Sequence, residues 1–328
     1  MIITLDEAIE KKIRGNVRYV YPLKNINTIS NYISALANSE GGTIFLGVMD
    51  NGLDIIAKGY SGNTPDKSKS SKLLGGFDSF EIREINKTTT SGSSKIIAID
   101  VEKSNSGVRF QDRLYKFKDN YTNKLEEIYP IQIFISYNRK TSKYADVIQE
   151  NIEKNYGFKV KINRDNQLQY KDNIDEFMKS IKENDIVISL ITSPYLKSEA
   201  CMYEITELMK DDSYQKKFAF IILSQNDLQY TSLVDNIEDL VPTIYDRKRY
   251  DYITYWSNEK AFYIDKMKQL ESSITAITEL SATIKRVGRI TDEIGSFLND
   301  LNNLNGKDFY TMYQEDFSDI KNMINSKM

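Results

Sequence analysis

The apolar positions along this chain keep three different rhythms in turn. In residues 26–37 (INTISNYISALA), Ile26, Ile29, Ile33, Leu36 and Ala37 recur every three or four residues, which predicts an amphipathic helix stopping at NSEGG. Residues 43–48 (TIFLGV) read as a short strand closed by a turn at Asp50, Asn51 and Gly52. The polar stretches 61–72 and 87–95 read as surface loops, and 96–101 and 114–117 as further strands. Pro130, after Tyr129, marks the end of this first stretch.

From residue 131 strands and helices alternate. A near-continuous apolar strand (131–137, IQIFISY) is followed by a helix at 142–155 and a strand at 158–162. A loop rich in Asp, Asn and Gln (165–173) leads to a helix at 174–183, a strand at 186–191, a helix from Pro194, a strand at 218–223, a weaker helix at 231–240 and a short fifth strand at 242–245. Strands apolar on both faces, separated by helices, predict a parallel sheet sandwiched between helical layers. Beyond about residue 258 the strands cease. Leu270, Ile274, Ile277, Leu280, Ile284, Val287, Ile290, Ile294, Leu298, Leu301 and Leu304 keep intervals of three or four, predicting one long apolar helical face or a helical hairpin broken near Gly295. Ser281, Gly288 and Thr291 interrupt a strict heptad, so the face either packs within the chain or forms a helical oligomer interface.

Composition narrows the chemistry. At 328 residues the chain is long enough for two modest cores, and with 40% hydrophobic and 28% charged residues it reads as globular. The single cysteine excludes a disulfide scaffold, and the absence of histidine excludes imidazole bases, Ser-His-Asp arrangements and histidine-held metals. The net charge of −3 gives no global pull towards nucleic acid or membranes. Glu7, Glu10, Lys11 and Lys12 occupy the place of a signal-peptide core, and the strongest apolar runs are six residues long, so the expectation is a cytoplasmic chain without a membrane span, its Cys201 free.

One carboxylate stands out. Ser193 and Pro194 read as an N-cap and first helical residue. Counting about 100° per residue from there, Leu196, Ala200, Cys201 and Leu208 form an apolar arc with Glu204 in its middle. A buried carboxylate is costly unless it is paired. Glu204 is therefore either partnered by an Arg, Lys or Tyr, or recessed in the cleft that open α/β sheets form at the carboxyl ends of their strands.

Residues 131 to about 262 resemble a bacterial Toll/interleukin-1 receptor (TIR) domain, on the opening IQIFISYNRKTSKYADVI, the acidic loop after the second strand, and DIVISLITSPYLKSEACMYEI. The resemblance implies a flavodoxin-like α/β domain with a parallel five-stranded sheet. The pattern Ser198-x-x-Cys201-x-x-Glu204 is similar to the segment carrying the catalytic glutamate in members that hydrolyse or cyclise NAD+. It implies Glu204 as the catalytic residue, Tyr137, Arg139 and Cys201 in the dinucleotide pocket, Arg164 and Asp165 opening a loop that shapes the site and mediates association, and Trp256 at the late aromatic position. NAD+ would be the substrate, with no separate cofactor, and the active form a homo-oligomer in antiphage defence. Many TIR domains are non-catalytic adaptors, and the alternative is such an assembly protein.

The first stretch, from Glu7 to about Asn120 and most sharply at ISALANSEGGTIFLGVMDNG (33–52), resembles the AlbA-type, Schlafen-related domains of bacteria, a smaller α+β fold. Asn38, Gly41 and Gly42 allow a tight helix-to-strand connection whose backbone N–H groups could hold an anion. LYKFKDN (114–120) is similar to the family's later strand, with Lys116 and Lys118 but without its arginine. Residues 1–128 carry 18 Lys and Arg against 16 Asp and Glu, a net +2, so nucleic-acid binding would need a local patch, for which Lys11, Lys12, Arg14 and Arg18 are the densest candidates. Pairing of these residues with Glu7 and Glu10, in a domain that senses a protein or small ligand, is the other reading. The expected organisation is thus an AlbA/Schlafen-like domain over 1–128, a TIR domain over 129–262 and a helical region over 263–328, with a phage-derived, nucleic-acid or protein trigger.

Overall fold

A computed structural model of the chain describes residues 3–89, 92–164, 181–227, 240–269, 274–304 and 306–328. It forms two compact units, Met1–Pro130 with Gly157–Lys159, and Ile131–Tyr156 with Val160–Met328. The strands of the first are β1 (Val17–Val20), β2 (Gly42–Leu46), β3 (Val48–Asp50), β4 (Ile55–Ala57), β5 (Phe80–Thr89), β6 (Gly92–Val101), β7 (Arg109–Phe110), β8 (Arg113–Phe117) and β9 (Leu125–Glu127). The main sheet has the order β1-β2-β6-β5, with β1 parallel to β2 and the other pairs antiparallel. Period-two alternation splits its side chains between two cores. Ile44, Leu46, Ile97 and Ile99 pack under the amphipathic helix Ile26–Ala37, whereas Phe45, Ile96 and Ala98 pack with Leu5 and Ala8 of the helix Leu5–Glu10.

The polar stretches read as loops are partly ordered. Asp66 caps a short helix, Lys67–Leu73, accepting from the Lys69 N–H at 3.1 Å. The stretch 87–95 falls largely within β5 and β6, whose ladder continues into polar residues beyond the buried core. Gly41 and Gly42 are required by close approach, because at φ +71° and +144° a side chain would collide with the backbone of Val101 and of Asn16. The Gly41 N–H donates to the Leu36 carbonyl at 3.0 Å, so it is not available to an anion. Asn38 staples the same turn, accepting from the Val108 N–H at 2.6 Å and donating to the Val108 and Tyr115 carbonyls.

In the second unit β10 (Ile131–Ser136), β11 (Val160–Asn163), β12 (Ile186–Ile191) and β13 (Phe218–Ile222) form a parallel sheet in the order β11-β10-β12-β13. Among the described residues this sheet has four strands, not five. Residues 242–245 are not a strand, and the outer edge of β13 is instead met by Lys307, whose carbonyl accepts the Ile222 N–H at 3.0 Å in an isolated parallel bridge. The expected elements at 165–173, 174–180 and 231–239 lie outside the described residues.

Both faces of the sheet are covered partly by C-terminal helices. One face packs against the helix Ser142–Tyr156 together with Phe309, Phe317, Ile320 and Ile324. The other packs against the helix Glu199–Leu208, with Trp256 of Arg249–Gln269 and Val287, Ile290, Ile294, Phe297, Leu298 and Leu301 of Ile274–Asn303. The last helix runs unbroken through Gly295, and the hairpin is made with the preceding helix. The apolar face from 287 to 301 is thus buried within the chain. Residues 263–328 belong to the same compact unit as the parallel sheet.

Two arginines tie this helix to Glu199–Leu208. Arg289 donates to Glu207 at 2.6 Å, joined on the same carboxylate by Lys210 at 2.5 Å, and Arg286 donates to Glu199 at 2.8 Å. The Glu207 side chain is only 2% exposed. Burial pushes its pKa up, and Lys210, Tyr203 and Arg289 outweigh that, holding it below the ordinary 4.5.

A carboxylate with a depressed folded-state pKa contributes stability above its unfolded value, and that contribution is lost as the pH falls through the folded value. The single tryptophan, Trp256, is buried in this unit and reports its unfolding. Urea titrations followed by its fluorescence should show Glu207→Gln less stable than the parent at pH 7 by about 1–3 kcal/mol. The gap should close as the pH drops below 4.5; a gap independent of pH would contradict the ion-pair account. In the same assay Leu298→Ala should cost about 2–5 kcal/mol. Exposed Lys285→Ala, on the same helix, should change stability by less than about 0.5 kcal/mol.

Candidate active site

The carboxyl ends of β10 and β12 carry the polar residues of the site. Ser136 and Ser189 are register partners on these adjacent strands, placed among side chains (Phe134, Val187, Ile191) that face the helix Glu199–Leu208. Thr192 caps a one-turn helix, Ser193–Leu196, accepting from the Tyr195 N–H at 3.1 Å, and Ser198 caps the next, accepting from the Cys201 N–H at 3.4 Å. Ser193 and Pro194 therefore form a first turn beyond the cap, and the helix read as continuous from Pro194 is two helices with a joint at Lys197 and Ser198. That joint turns Ala200 to solvent, outside the arc assigned to it, and turns Cys201 through Leu208 inward.

Glu204 is 5% exposed. Its Oε2 accepts from the Ser136 hydroxyl at 2.5 Å. Ser136 Oγ lies 2.7 Å from the Tyr195 hydroxyl, which lies 3.2 Å from Ser189 Oγ. Burial, with Cys201 and Glu204 close by, pushes the Tyr195 phenol well above its ordinary pKa, so it stays protonated. A chain of hydroxyls thus runs through the interior to the carboxylate. Ser136, Tyr195 and Ser189 were not singled out from the sequence; the available signal was a serine within the apolar run of each of two strands.

The other pocket candidates divide. The Tyr137 carbonyl accepts from the Cys201 thiol at 3.6 Å, which joins the end of β10 to the Glu204 helix. The Arg164 guanidinium is 3% exposed and stacks 4.6 Å from the Tyr137 ring centroid. It donates to Asp146 at 2.7 Å and to Gln149 at 2.9 Å. Burial disfavours its charge, but Asp146 and Tyr137 raise its pKa above the ordinary value. Arg164 therefore fixes the Tyr137 ring rather than reaching outward. Arg139 is exposed just beyond β10. Asp165 lies outside the described residues. Trp256 is buried, and its indole N–H donates to the Leu196 carbonyl at 2.8 Å, bracing the joint before the Glu204 helix.

The four basic candidates of the first unit are all engaged within it. Lys11 pairs with Glu7 at 2.8 Å and Lys12 with Asp54 at 2.9 Å. Arg14 holds Asp50 through two bonds at 2.7 and 2.8 Å. Arg18 is 5% exposed, stacked on Phe117 and donating to the Asp119 and Thr122 carbonyls, so it shapes a loop instead of offering a surface charge. A phosphate here would have to displace Glu7, Asp54 or Asp50.

Among the described residues, no group of His, Cys, Asp or Glu could hold a metal ion, and no helix is long and apolar enough to cross a membrane. A Schlafen, AlbA_2 family model matches residues 7–145 and a TIR domain family model matches residues 133–270. No curated protein matches the chain. A solved structure of the TIR domains of the activated Roq1 resistosome directly recognizing the pathogen effector XopQ aligns with 60% of this chain and 99% of that one, at 14% identity and a TM-score of 0.33. The chain carries an N-terminal AlbA/Schlafen-like domain and a C-terminal TIR domain.

Proposed function

We propose that this protein cleaves the nicotinamide–ribose bond of NAD+, with Glu204 as its catalytic carboxylate. The supporting observation is that a TIR domain, from a family that includes NAD+-cleaving enzymes, holds this carboxylate nearly out of water at the carboxyl ends of its parallel strands, on a hydroxyl donor. Nicotinamide leaves as a neutral ring, taking both electrons of the C–N bond, so departure needs little acid and no histidine. The ribose is left as an oxocarbenium-like cation, which an adjacent carboxylate stabilises. Water adding at that carbon and losing a proton gives ADP-ribose. Attack by an adenine nitrogen or a ribose hydroxyl of the same molecule gives a cyclic isomer instead.

The remaining roles follow from position. Arg139, exposed beyond β10, is suited to the pyrophosphate, and Tyr137, held by Arg164 and Cys201, to a wall of the pocket. The AlbA/Schlafen-like domain is read as the module that receives a nucleic-acid or protein trigger, and the active state as a homo-oligomer serving antiphage defence.

Purified protein incubated with NAD+ should release nicotinamide, separable by chromatography together with ADP-ribose or a cyclic isomer. Glu204→Gln keeps the size and removes the charge, and should lower release by about 10² or more. Equal release from a folded Glu204→Gln variant would overturn the assignment, and no release from the parent would leave the TIR domain as an assembly module. Light scattering should find the active fraction dimeric or larger; a monomer at every active concentration would contradict the oligomer.

A further inference from the structure

We propose that the first unit holds a cleft of its own for a purine mononucleotide, with the base against Tyr60 and the phosphate held by Lys24 and Lys69. The cleft is separate from the Glu204 site and does not rest on the reading given to that carboxylate.

The cleft, of about 320 Å³, lies where the start of the helix Ile26–Ala37 meets the loop after β4 and the helix Lys67–Leu73. That volume is at the small end of ligand sites, which suits one base and one sugar phosphate rather than a dinucleotide. Ile26, Ile29 and Pro65 give it an apolar lining, and Leu23 beside them is 53% exposed, so a ring bound there removes apolar surface from water. Tyr60 supplies an aromatic wall, fixed by the chain's own bonds. Its N–H donates to the Lys95 carbonyl on β6 at 2.7 Å, and its hydroxyl donates to the Asn63 carbonyl at 3.1 Å. Thr64, next along the loop, donates to Glu84 on β5. Gly62 leaves room between these groups: a Cβ there would meet Leu23 Cδ1 at 2.9 Å and the Tyr60 hydroxyl at 3.1 Å.

Charge selects the ligand class. Elsewhere in this unit Lys12 pairs with Asp54, Lys67 with Glu81, Lys95 with Glu84, Lys103 with Glu40 and Lys116 with Glu126. Lys24 and Lys69 have no carboxylate partner among the described residues, and both line the cleft. Asp66 lines it too, but its carboxylate is engaged as a helix cap, accepting from the Lys69 N–H at 3.1 Å. Two ammoniums against one capping carboxylate favour an anion, and lysine is a common binder of phosphate as a point charge. The apolar lining and the Tyr60 wall favour an anion that carries a flat ring. The Asn63 side chain, unpartnered among the described residues, offers a donor and an acceptor on one amide, the pairing that matches the N6 and N7 edge of adenine. An acyl chain ending in a carboxylate would use the lysines but neither the Tyr60 ring nor the Asn63 amide.

Calorimetric titration of AMP into the full chain at low salt tests this. The parent should bind AMP, and adenosine, which lacks the phosphate, should bind about tenfold or more weakly. Lys24→Ala and Lys69→Ala should each weaken AMP by about tenfold, whereas Lys72→Ala, at an exposed lysine of the same helix outside the cleft, should leave it unchanged. Gly62→Ala keeps every charge but pushes Leu23 and Tyr60 aside, and should weaken AMP and adenosine alike. Glu204→Gln should bind AMP as the parent does. No binding of AMP by the parent, equal affinity for adenosine, or parent affinity in both lysine variants would overturn the proposal. Loss of AMP binding in Glu204→Gln with the lysine variants unaffected would also overturn it, by placing the nucleotide in the TIR domain. A single-stranded oligonucleotide that displaces AMP as well as AMP itself does would overturn it too, by making the cleft part of a nucleic-acid surface. Heats of AMP binding do not require nicotinamide release, so a parent that binds AMP and leaves NAD+ intact would count against the enzyme reading alone.

Discussion

The site depends on how one ten-residue helix, Glu199–Leu208, carries two buried carboxylates three residues apart. Carboxylates out of water must be met by donors or they destabilise the fold. Glu207 is met by the cations Lys210 and Arg289, which balance its charge and turn it into a fastener between this helix and the long C-terminal one. Glu204 accepts from the buried Ser136 hydroxyl.

The C-terminal helices follow from the same requirement. Glu199–Leu208 is buried on both sides, by the parallel sheet and by the apolar face of Ile274–Asn303, so the surface bearing Glu204 is complete only with residues that follow the strands of the sheet. Trp256 braces the joint at Leu196, and Arg286 and Arg289 grip both ends of the helix. Displacing the long helix would move the backbone that carries Glu204. A misplacement of about 1 Å in a catalytic group is enough to lose much of its effect.

Periodicity exposed the strands of the parallel sheet and the buried arc around Glu204, because each depends on a short local repeat. It could not supply the partners of buried polar groups. Ser136 and Glu204 are 68 residues apart, Arg289 and Glu207 are 82 apart, and Arg14 and Asp50 are 36 apart. In the first unit Lys11 pairs locally with Glu7, one of the two readings the sequence left open, whereas the partners of Lys12, Arg14 and Arg18 lie 36 or more residues away. The four-stranded sheet among the described residues has a similar origin: 242–245 has strand-like composition, but β13 is met at its edge by Lys307, contributed from beyond two long helices. The polar residues of β5 and β6 were obscured by composition, since an antiparallel ladder can extend past its buried core on backbone hydrogen bonds.

The central claim is spatial: the ribose carbon that loses nicotinamide lies against Glu204. A crystal structure of the protein with a carbocyclic NAD+ analogue, which cannot be cleaved, tests it directly. The account predicts the carbon bearing nicotinamide at about 3.5 Å from the Glu204 carboxylate, with Ser136 still donating to that carboxylate. An analogue bound away from the carboxyl ends of β10 and β12, or with its nicotinamide-bearing ring turned from Glu204, would contradict it.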